Sequence, residues 1–265
     1  MLAMRAIAAL AVGAAMMFES WAFVMPHQDP TDTLILVNKT NRAPAVPVTL
    51  VKPNVTPTRE ALSENIYMQP EAAAALEALF EGAQEDGITL FATSGFRSYS
   101  TQKAIFERKL ETMNEKAANA SVAKPGYSEH QTGLAMDVEG LSSLGSGLVE
   151  DFGETPEGMW LAAHCHEYGF ILRYPKDKTN ITGYIYEPWH IRYVGREAAA
   201  KIHELDITFE EYILMVRGDR VKFLEEGGKT TDESNPSSRT FSDVHDAACV
   251  ALHGGDAGPF RAGRY

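Results

Sequence analysis

The sequence is poor in cysteine and in basic residues. Only Cys165 and Cys249 occur among 265 residues, so a disulfide framework and a zinc site made of cysteine alone are both excluded. Lys and Arg number 24 against 36 Asp and Glu, which gives a formal net charge of −12. A protein that binds nucleic acid would instead carry a basic surface stripe. The composition therefore argues against a nucleic-acid partner.

The apolar run at the N-terminus, residues 6–18, is shorter than the roughly 20 residues that a membrane-spanning helix needs. Arg5 precedes this run, and Ser20-Trp21-Ala22 offers small residues at the positions that a signal peptidase reads. We therefore expect residues 1–22 to be an export signal, with an uncleaved N-terminal membrane anchor as the alternative. Both interpretations predict an extracytoplasmic protein.

The rest of the chain divides into a linker, one domain and a tail. Residues 23–32 contain Pro and Asp and are typical of a linker, residues 33–217 carry the periodic apolar patterns, and residues 218–265 are polar, as in a disordered tail. Within the domain, helices are predicted over 70–86, over about 101–118 and over 157–168. Strands are predicted over 34–37, 88–96, 170–174 and 181–195.

Two stretches hold ionisable residues beside apolar ones. In SEHQTGLAMD, His130 and Asp137 are seven residues apart and Gly133 permits a tight bend between them. In EPWHIRYVG, Glu187 precedes His190 by three residues. Catalytic zinc usually takes three His, Asp or Glu ligands and leaves one position for water. These groups are expensive to bury without a cation, so the pattern predicts a zinc site made of His130, Asp137 and His190.

Glu187 is predicted to lie near this metal without being a ligand. The rigid ring of Pro188 stiffens the spacing between Glu187 and His190. A carboxylate in that position can take a proton from the metal's water and later hand it to a leaving amine.

Three blocks of the sequence resemble those of a known family. SGFRSYSTQ, SEHQTGLAMD and EPWHIRYVG are similar, in order and spacing, to the signature blocks of the VanY-type zinc D-alanyl-D-alanine carboxypeptidases of the LAS superfamily. The similarity runs from about Leu34 to Leu214. It implies a single α+β domain, with a small, mainly antiparallel sheet that bears the zinc ligands and helices packed on one side. It also implies one Zn²⁺ ion, bound by His130, Asp137 and His190, with Glu187 as general base and acid.

The resemblance extends to the residues around the metal. It implies that Arg97 stabilises the oxyanion or the scissile carbonyl, and that Gln102 and Ser128 contact the peptide's terminal carboxylate or backbone. From the residues alone, Gln102 could equally be an amide on a helix surface and Ser128 a loop hydroxyl. Trp189 is expected to wall the cleft, although a core tryptophan would give the same pattern.

The function implied is that of an exported zinc carboxypeptidase whose substrates are peptidoglycan stem peptides, from which it removes the terminal D-Ala. Such an enzyme would be secreted, associated with the cell wall or anchored at the outer face of the cytoplasmic membrane. One alternative is an L,D-carboxypeptidase that acts on tetrapeptides. Another, of a different class, is a non-catalytic module that binds wall fragments or partner proteins; such a module is expected to lack Glu187 or Arg97. The sequence carries no signal for an oligomeric state.

Overall fold

The computed structural model describes residues 32–44, 49–58 and 65–225, with side chains up to Gly218. The predicted signal segment, nearly all of the predicted linker and residues 226–265 of the predicted tail lie outside the described residues. Within them, no helix has both the length and the apolar character needed to cross a bilayer.

One four-stranded sheet lies at the centre of the domain. Its strands are β1 (Leu90–Ser94), β2 (Ala135–Gly140), β3 (Phe170–Tyr174) and β4 (Glu187–Tyr193). Their order is β1-β2-β4-β3, and every neighbouring pair is antiparallel. The prediction of an α+β domain with a small antiparallel sheet is confirmed.

Seven α-helices accompany this sheet in the described part of the chain. They are α1 (Pro70–Glu85), α2 (Tyr99–Leu110), α3 (Glu115–Ser121), α4 (Pro156–His164), α5 (Thr179–Thr182), α6 (Arg196–Leu205) and α7 (Phe209–Glu225). Helix α7 thus continues beyond residue 217, the predicted end of the domain.

Helix α1 forms as the sequence predicts. Pro70 occupies its first turn, where the missing N–H costs no hydrogen bond. Gly87 follows its end with φ +76°, a conformation that glycine adopts without strain. Buried side chains on one stripe, among them Leu76 and Leu79, pack against the sheet.

The larger apolar core joins α1 and α4 to one face of the sheet. Leu76, Leu161, Met136 and Ile191 belong to this cluster and are fully shielded from solvent. Burial of each such side chain stabilises the fold by roughly 1.5–3 kcal/mol. Met136 on β2 and Ile191 on β4 are also register partners. The opposite face of these strands is thereby left for the polar residues that alternate with them.

The helix expected over 101–118 and the strand expected over 181–195 are both shorter than the sequence suggested. The helix expected over 101–118 is split into α2 and α3, because Asn114 caps α3 by accepting a hydrogen bond from the Ala117 N–H at 2.9 Å. Leu110, the last residue of α2, is 40% exposed. The strand expected over 181–195 begins only at Glu187, because Gly183 turns the chain with φ +77° after the short helix α5.

The segment 34–37, predicted as a strand, forms no strand in the sheet. Ile35 and Val37 are buried, but the carbonyl groups of Thr33 and Ile35 accept hydrogen bonds from the Arg192 guanidinium, at 2.9 and 2.8 Å. A buried arginine on β4 therefore satisfies backbone groups that a strand partner would otherwise satisfy.

Candidate active site

The sheet brings two of the predicted metal ligands together. Asp137 on β2 is the register partner of His190 on β4. Directly opposed residues of antiparallel strands project on the same face with neighbouring Cβ atoms. As a result, His190 Nδ1 lies 3.0 Å from Asp137 Oδ1.

His130 reaches the same point from a tight turn. It belongs to the 3₁₀ turn Glu129–Thr132, and Gly133, with φ +72°, leads from that turn into β2. His130 Nε2 lies 3.3 Å from Asp137 Oδ2. One donor atom from each of His130, Asp137 and His190 lies within 4.8 Å of the others. The structure therefore brings the three predicted ligands to one point.

Each imidazole directs one nitrogen into this cluster and has its other nitrogen held from outside. His130 Nδ1 lies 2.8 Å from the Gly95 carbonyl oxygen, which can only accept a hydrogen bond, so Nε2 is left to face the cluster. His190 has the opposite arrangement: Nδ1 faces the cluster and Nε2 lies 3.4 Å from Glu129 Oε2. Metal-bound histidines typically have the second nitrogen fixed in this way. Two nitrogens and a carboxylate also suit zinc.

The cluster is buried, and this shapes its electrostatics. Burial lowers the pKa of His130 despite the nearby Asp137 carboxylate. Burial would raise the pKa of Asp137, but the two imidazoles outweigh it and hold that pKa well below its usual range. Burial likewise opposes the charge on His190, yet hydrogen bonds to Asp137 and Glu129 raise its pKa to about 9. A buried anion that must be compensated by positive charge is a fitting environment for a cation.

Glu187 lies beside the cluster because β4 departs from regular alternation. Residues three apart on a strand ordinarily face opposite sides. The β3–β4 pairing shifts register here, with Tyr174 opposite Glu187 and Leu172 opposite Ile191. Glu187 and His190 consequently line the same cavity. Burial raises the pKa of Glu187 to about 7, against the opposing effect of His190.

Arg97 extends into the cavity from the loop between β1 and α2. Its two terminal nitrogens donate to Gln102 Oε1 at 3.0 Å and to Ser94 Oγ at 2.9 Å, and one of them lies 3.6 Å from Asp137 Oδ2. Burial lowers the pKa of Arg97, while Asp137 and Glu187 oppose that shift. The guanidinium is thus aimed at the cluster by fixed hydrogen bonds.

Gln102 is buried, so the alternative interpretation of this residue as an amide on a helix surface is wrong. It is fully shielded from solvent, and its Nε2 donates to the Ala123 carbonyl at 2.7 Å while its Oε1 accepts from Arg97. Ser94 was missed by sequence reasoning. It is the last residue of β1, three positions before Arg97, but a serine hydroxyl carries no sequence signal of its partner.

The cavity in front of the cluster has a volume of about 380 Å³. Ser128 and Trp189 both line it. Trp189 also packs in the larger core cluster and is 9% exposed, so the cleft-wall and core interpretations of this residue both describe it. The remaining wall is formed in part by Ile105, Lys109, Leu148, Tyr174, Tyr184 and Ile185.

Glu129 is a second residue that sequence reasoning missed. Its carboxylate is 1% exposed and accepts hydrogen bonds from Arg173 Nε and Arg192 Nη1, both at 2.8 Å. Burial alone would raise its pKa, but the two arginines hold that pKa well below its usual range. A signal was available: the apolar strand sequences FILRY and HIRYV each contain an arginine, and a buried arginine requires a buried acid.

A buried His–Asp–His cluster flanked by a carboxylate and a guanidinium is typical of metal-dependent hydrolases that use an activated water. The family model for VanY, D-alanyl-D-alanine carboxypeptidase, matches residues 65–196. The putative carboxypeptidase YodJ of Bacillus subtilis (strain 168) is 46% identical over 192 residues, which cover 72% of this chain and 70% of YodJ. The chain therefore belongs to the VanY family.

Solved structures show the same relationship. The LD-carboxypeptidase LdcB is 47% identical with a TM-score of 0.66, and the match covers 70% of this chain and 87% of LdcB. A mutant of the vancomycin resistance D,D-pentapeptidase VanY in complex with Zn(II) is 36% identical with a TM-score of 0.57. That match covers 68% of this chain and 98% of the VanY chain. The predicted family resemblance is confirmed.

Proposed function

We propose that this protein is an exported zinc carboxypeptidase that removes the terminal D-Ala from peptidoglycan stem peptides. The observation that carries the proposal is the convergence of Glu187 and Arg97 on the His–Asp–His cluster inside one cavity. A site with a base, an oxyanion partner and three metal ligands has the groups that peptide hydrolysis needs.

His130, Asp137 and His190 would hold the zinc ion, through Nε2, a carboxylate oxygen and Nδ1 respectively. When bound, the ion polarises the scissile carbonyl and lowers the pKa of a bound water. The zinc complex of the related VanY supports this choice of metal.

Glu187 would transfer the proton, and Arg97 would stabilise the negative charge that develops during the reaction. Glu187 accepts a proton as the water oxygen attacks the carbonyl carbon, and it returns that proton to the amine nitrogen as the C–N bond breaks. A carboxyl group whose pKa is raised to about 7 is suited to both roles. The Arg97 guanidinium, held by Gln102 and Ser94, stabilises the negative charge that develops on the carbonyl oxygen.

A second candidate keeps this chemistry and changes the bond. LdcB, which is 47% identical, is an LD-carboxypeptidase, and this similarity favours hydrolysis of an L,D bond in a tetrapeptide. The D,D-pentapeptidase VanY supports hydrolysis of a D,D bond in a pentapeptide. A non-catalytic binding module is disfavoured, because such a module has no use for Glu187 and Arg97 in the cavity.

Incubation with purified muropeptides tests the proposal. Pentapeptide and tetrapeptide muropeptides are supplied separately, with and without a chelator, and products are identified by mass spectrometry. We expect pentapeptides to lose one alanine. The chelator should abolish this loss, and added zinc should restore it. Loss of alanine from tetrapeptides alone would establish the L,D candidate. A protein that binds zinc and releases no alanine from either substrate would contradict both and favour the binding role.

A further inference from the structure

We propose that Glu129 is a positioning residue, which holds the ring of His190 with Nδ1 facing the metal and the ring proton on Nε2. This inference depends on the zinc site of the proposed function. An imidazole rotated by 180° about its Cβ–Cγ bond would place Cδ2 where Nδ1 lies and Cε1 where Nε2 lies, so the rotated ring could neither bind the ion nor contact Glu129. A contact on the outer nitrogen of His190 is what can distinguish the two orientations.

The two oxygens of Glu129 have different partners. Oε1 accepts from both Arg173 Nε and Arg192 Nη1, each at 2.8 Å. Oε2 is directed at His190 Nε2, 3.4 Å away. Neutralising the guanidinium groups of Arg173 and Arg192 requires only Oε1 and does not require Oε2 to point at His190. The two arginines therefore fix the orientation of the Glu129 carboxylate, and this orientation places Oε2 beside His190 Nε2.

The arginines are themselves held from outside the site. Arg173 Nη1 and Nη2 donate to the two oxygens of Glu210 on α7, at 2.9 and 2.6 Å. Arg192 Nη2 donates to the backbone carbonyl groups of residues 33 and 35. Both arginines are almost completely buried. Glu129 is thus fixed by contacts that reach helix α7 and the segment before α1, both of which lie outside the matched residues 65–196.

Glu129→Gln tests the proposal sharply, because the arginines dictate how the amide must lie. Two donors meet at the position of Oε1, so the amide oxygen has to occupy it. The amide NH₂ group then replaces Oε2 and points a donor at the Nε2–H of His190. The substitution removes one charge and reverses one hydrogen bond while it preserves the side-chain shape.

The matched control is Glu157→Gln. Glu157 is also a buried carboxylate, 6% exposed, but its Oε1 accepts from the backbone N–H and the hydroxyl of Ser142, away from the cluster. Zinc affinity of each full-length variant is measured by competition with a chromogenic chelator, and the unfolding midpoint of each metal-free variant is measured alongside. We expect zinc to bind Glu129→Gln about 10- to 100-fold more weakly than it binds the wild type, and Glu157→Gln with unchanged affinity.

A measurement on the wild type covers the case in which Glu129→Gln does not fold. In zinc-loaded protein with ¹⁵N-labelled histidine, two-bond ¹⁵N–¹H correlation spectra report which ring nitrogen carries the proton. We expect the proton of His190 on Nε2 and that of His130 on Nδ1. A proton on Nδ1 of His190, or a Glu129→Gln variant that folds and binds zinc as tightly as the wild type, would overturn the inference.

These readouts do not depend on catalysis. If the wild type releases alanine and Glu129→Gln keeps its zinc affinity, the inference alone fails. If the wild type binds zinc with the expected tautomers and releases no alanine, the proposed function alone fails.

Discussion

Asp137 and His190 face each other across the β2–β4 ladder, with Asp137 Oδ1 and His190 Nδ1 separated by 3.0 Å. The spacing of these two predicted ligands is therefore a property of the sheet rather than of a loop. Sites built on paired strands keep their geometry better than sites on loops. Only His130 needs a turn to reach the cluster, and the Gly95 carbonyl fixes its ring.

Replacement of Glu187 by glutamine should stop turnover and leave metal binding intact. The amide cannot accept and return a proton, so kcat should fall by about 10²- to 10⁴-fold. Alanine release and zinc content are measured on the same preparation. Glu139→Gln is the control, because Glu139 is another buried carboxylate of the sheet but contacts Thr93 and the Gly145 N–H instead. Equal losses in the two variants would argue against a proton-transfer role for Glu187.

Asp137→Asn should abolish tight zinc binding. The substitution replaces an anionic ligand by a neutral amide between the two histidines, and catalytic zinc requires three protein ligands. Zinc content after dialysis is measured by elemental mass spectrometry, with about one ion per chain expected for the wild type. Asp151→Asn removes an exposed carboxylate that does not line the cavity and should retain the metal. Full zinc content in Asp137→Asn would contradict the proposed ligand set.

The metal-free protein should become less stable as pH rises through neutrality, in part because of Glu187. Its pKa is raised to about 7 by burial, so the folded state favours the neutral acid. The stability that this group contributes is full below its unfolded pKa and is lost as pH rises through the folded value. Thermal unfolding of chelator-treated wild type and Glu187→Gln is compared between about pH 5 and about pH 8. The unfolding temperature of Glu187→Gln should decline less with rising pH than that of the wild type. Parallel declines in the two proteins would contradict the raised pKa of Glu187.

Arg97→Lys should lower kcat more than it changes KM. Lysine retains the positive charge but lacks the planar fork with which Arg97 contacts both Gln102 and Ser94. Loss of an oriented oxyanion donor reduces kcat by about 10²- to 10³-fold. Steady-state kinetics of alanine release measure the effect, and Lys103→Ala, on the exposed side of α2, serves as the control. Unchanged kcat in Arg97→Lys would show that charge alone suffices.

Gly95→Ala should weaken the fold and the metal site together. A Cβ there would lie 2.7 Å from the Tyr67 carbonyl oxygen and 2.9 Å from the Ile66 carbonyl carbon. The backbone must therefore shift, and with it the carbonyl group that holds His130. We expect a loss of about 1–3 kcal/mol in the free energy of unfolding, with weaker zinc binding.

Gly218→Ala is the matched change for Gly95→Ala. A Cβ at Gly218 in α7 meets no atom of the described residues within 4 Å. The alanine should stabilise the helix by about 0.5–1 kcal/mol, because glycine loses more conformational freedom on folding. Chemical denaturation and zinc competition on both variants provide the comparison. Equal stability of the two would show that the close approach at Gly95 can relax.

The elements with strong local signals were predictable from the sequence. Helix α1 combines Pro70 at its start, an apolar stripe and Gly87 at its end, and each signal acts within a few residues. The division between α2 and α3 was missed, because the Asn114 cap competes with a continuous helix that has similar composition. Local propensity alone does not decide between these two outcomes.

The candidate site was predictable only in its chemically unusual residues. His130, Asp137 and His190 have an order and spacing that indicate a metal site from the sequence alone. Ser94 and Glu129 act through partners that the fold brings to them: Ser94 orients Arg97, and Glu129 links two arginines to a histidine. Such contacts arise from the folded arrangement of strands and leave no periodic pattern.

The register shift opposite Glu187 indicates which segments around the cavity can change in length and which cannot. The segment 141–147, LSSLGSG, is rich in Gly and Ser and precedes Leu148, which lines the cavity. Insertions in this loop would reshape that part of the cavity wall and leave the sequence of β4 unchanged. Removal of one residue between Glu187 and His190 would instead alter the register shift that brings both side chains to the cavity. Directed evolution of substrate preference should therefore accept length changes in that loop, and between Glu187 and His190 should tolerate only equal-length replacement of Pro188 and Trp189.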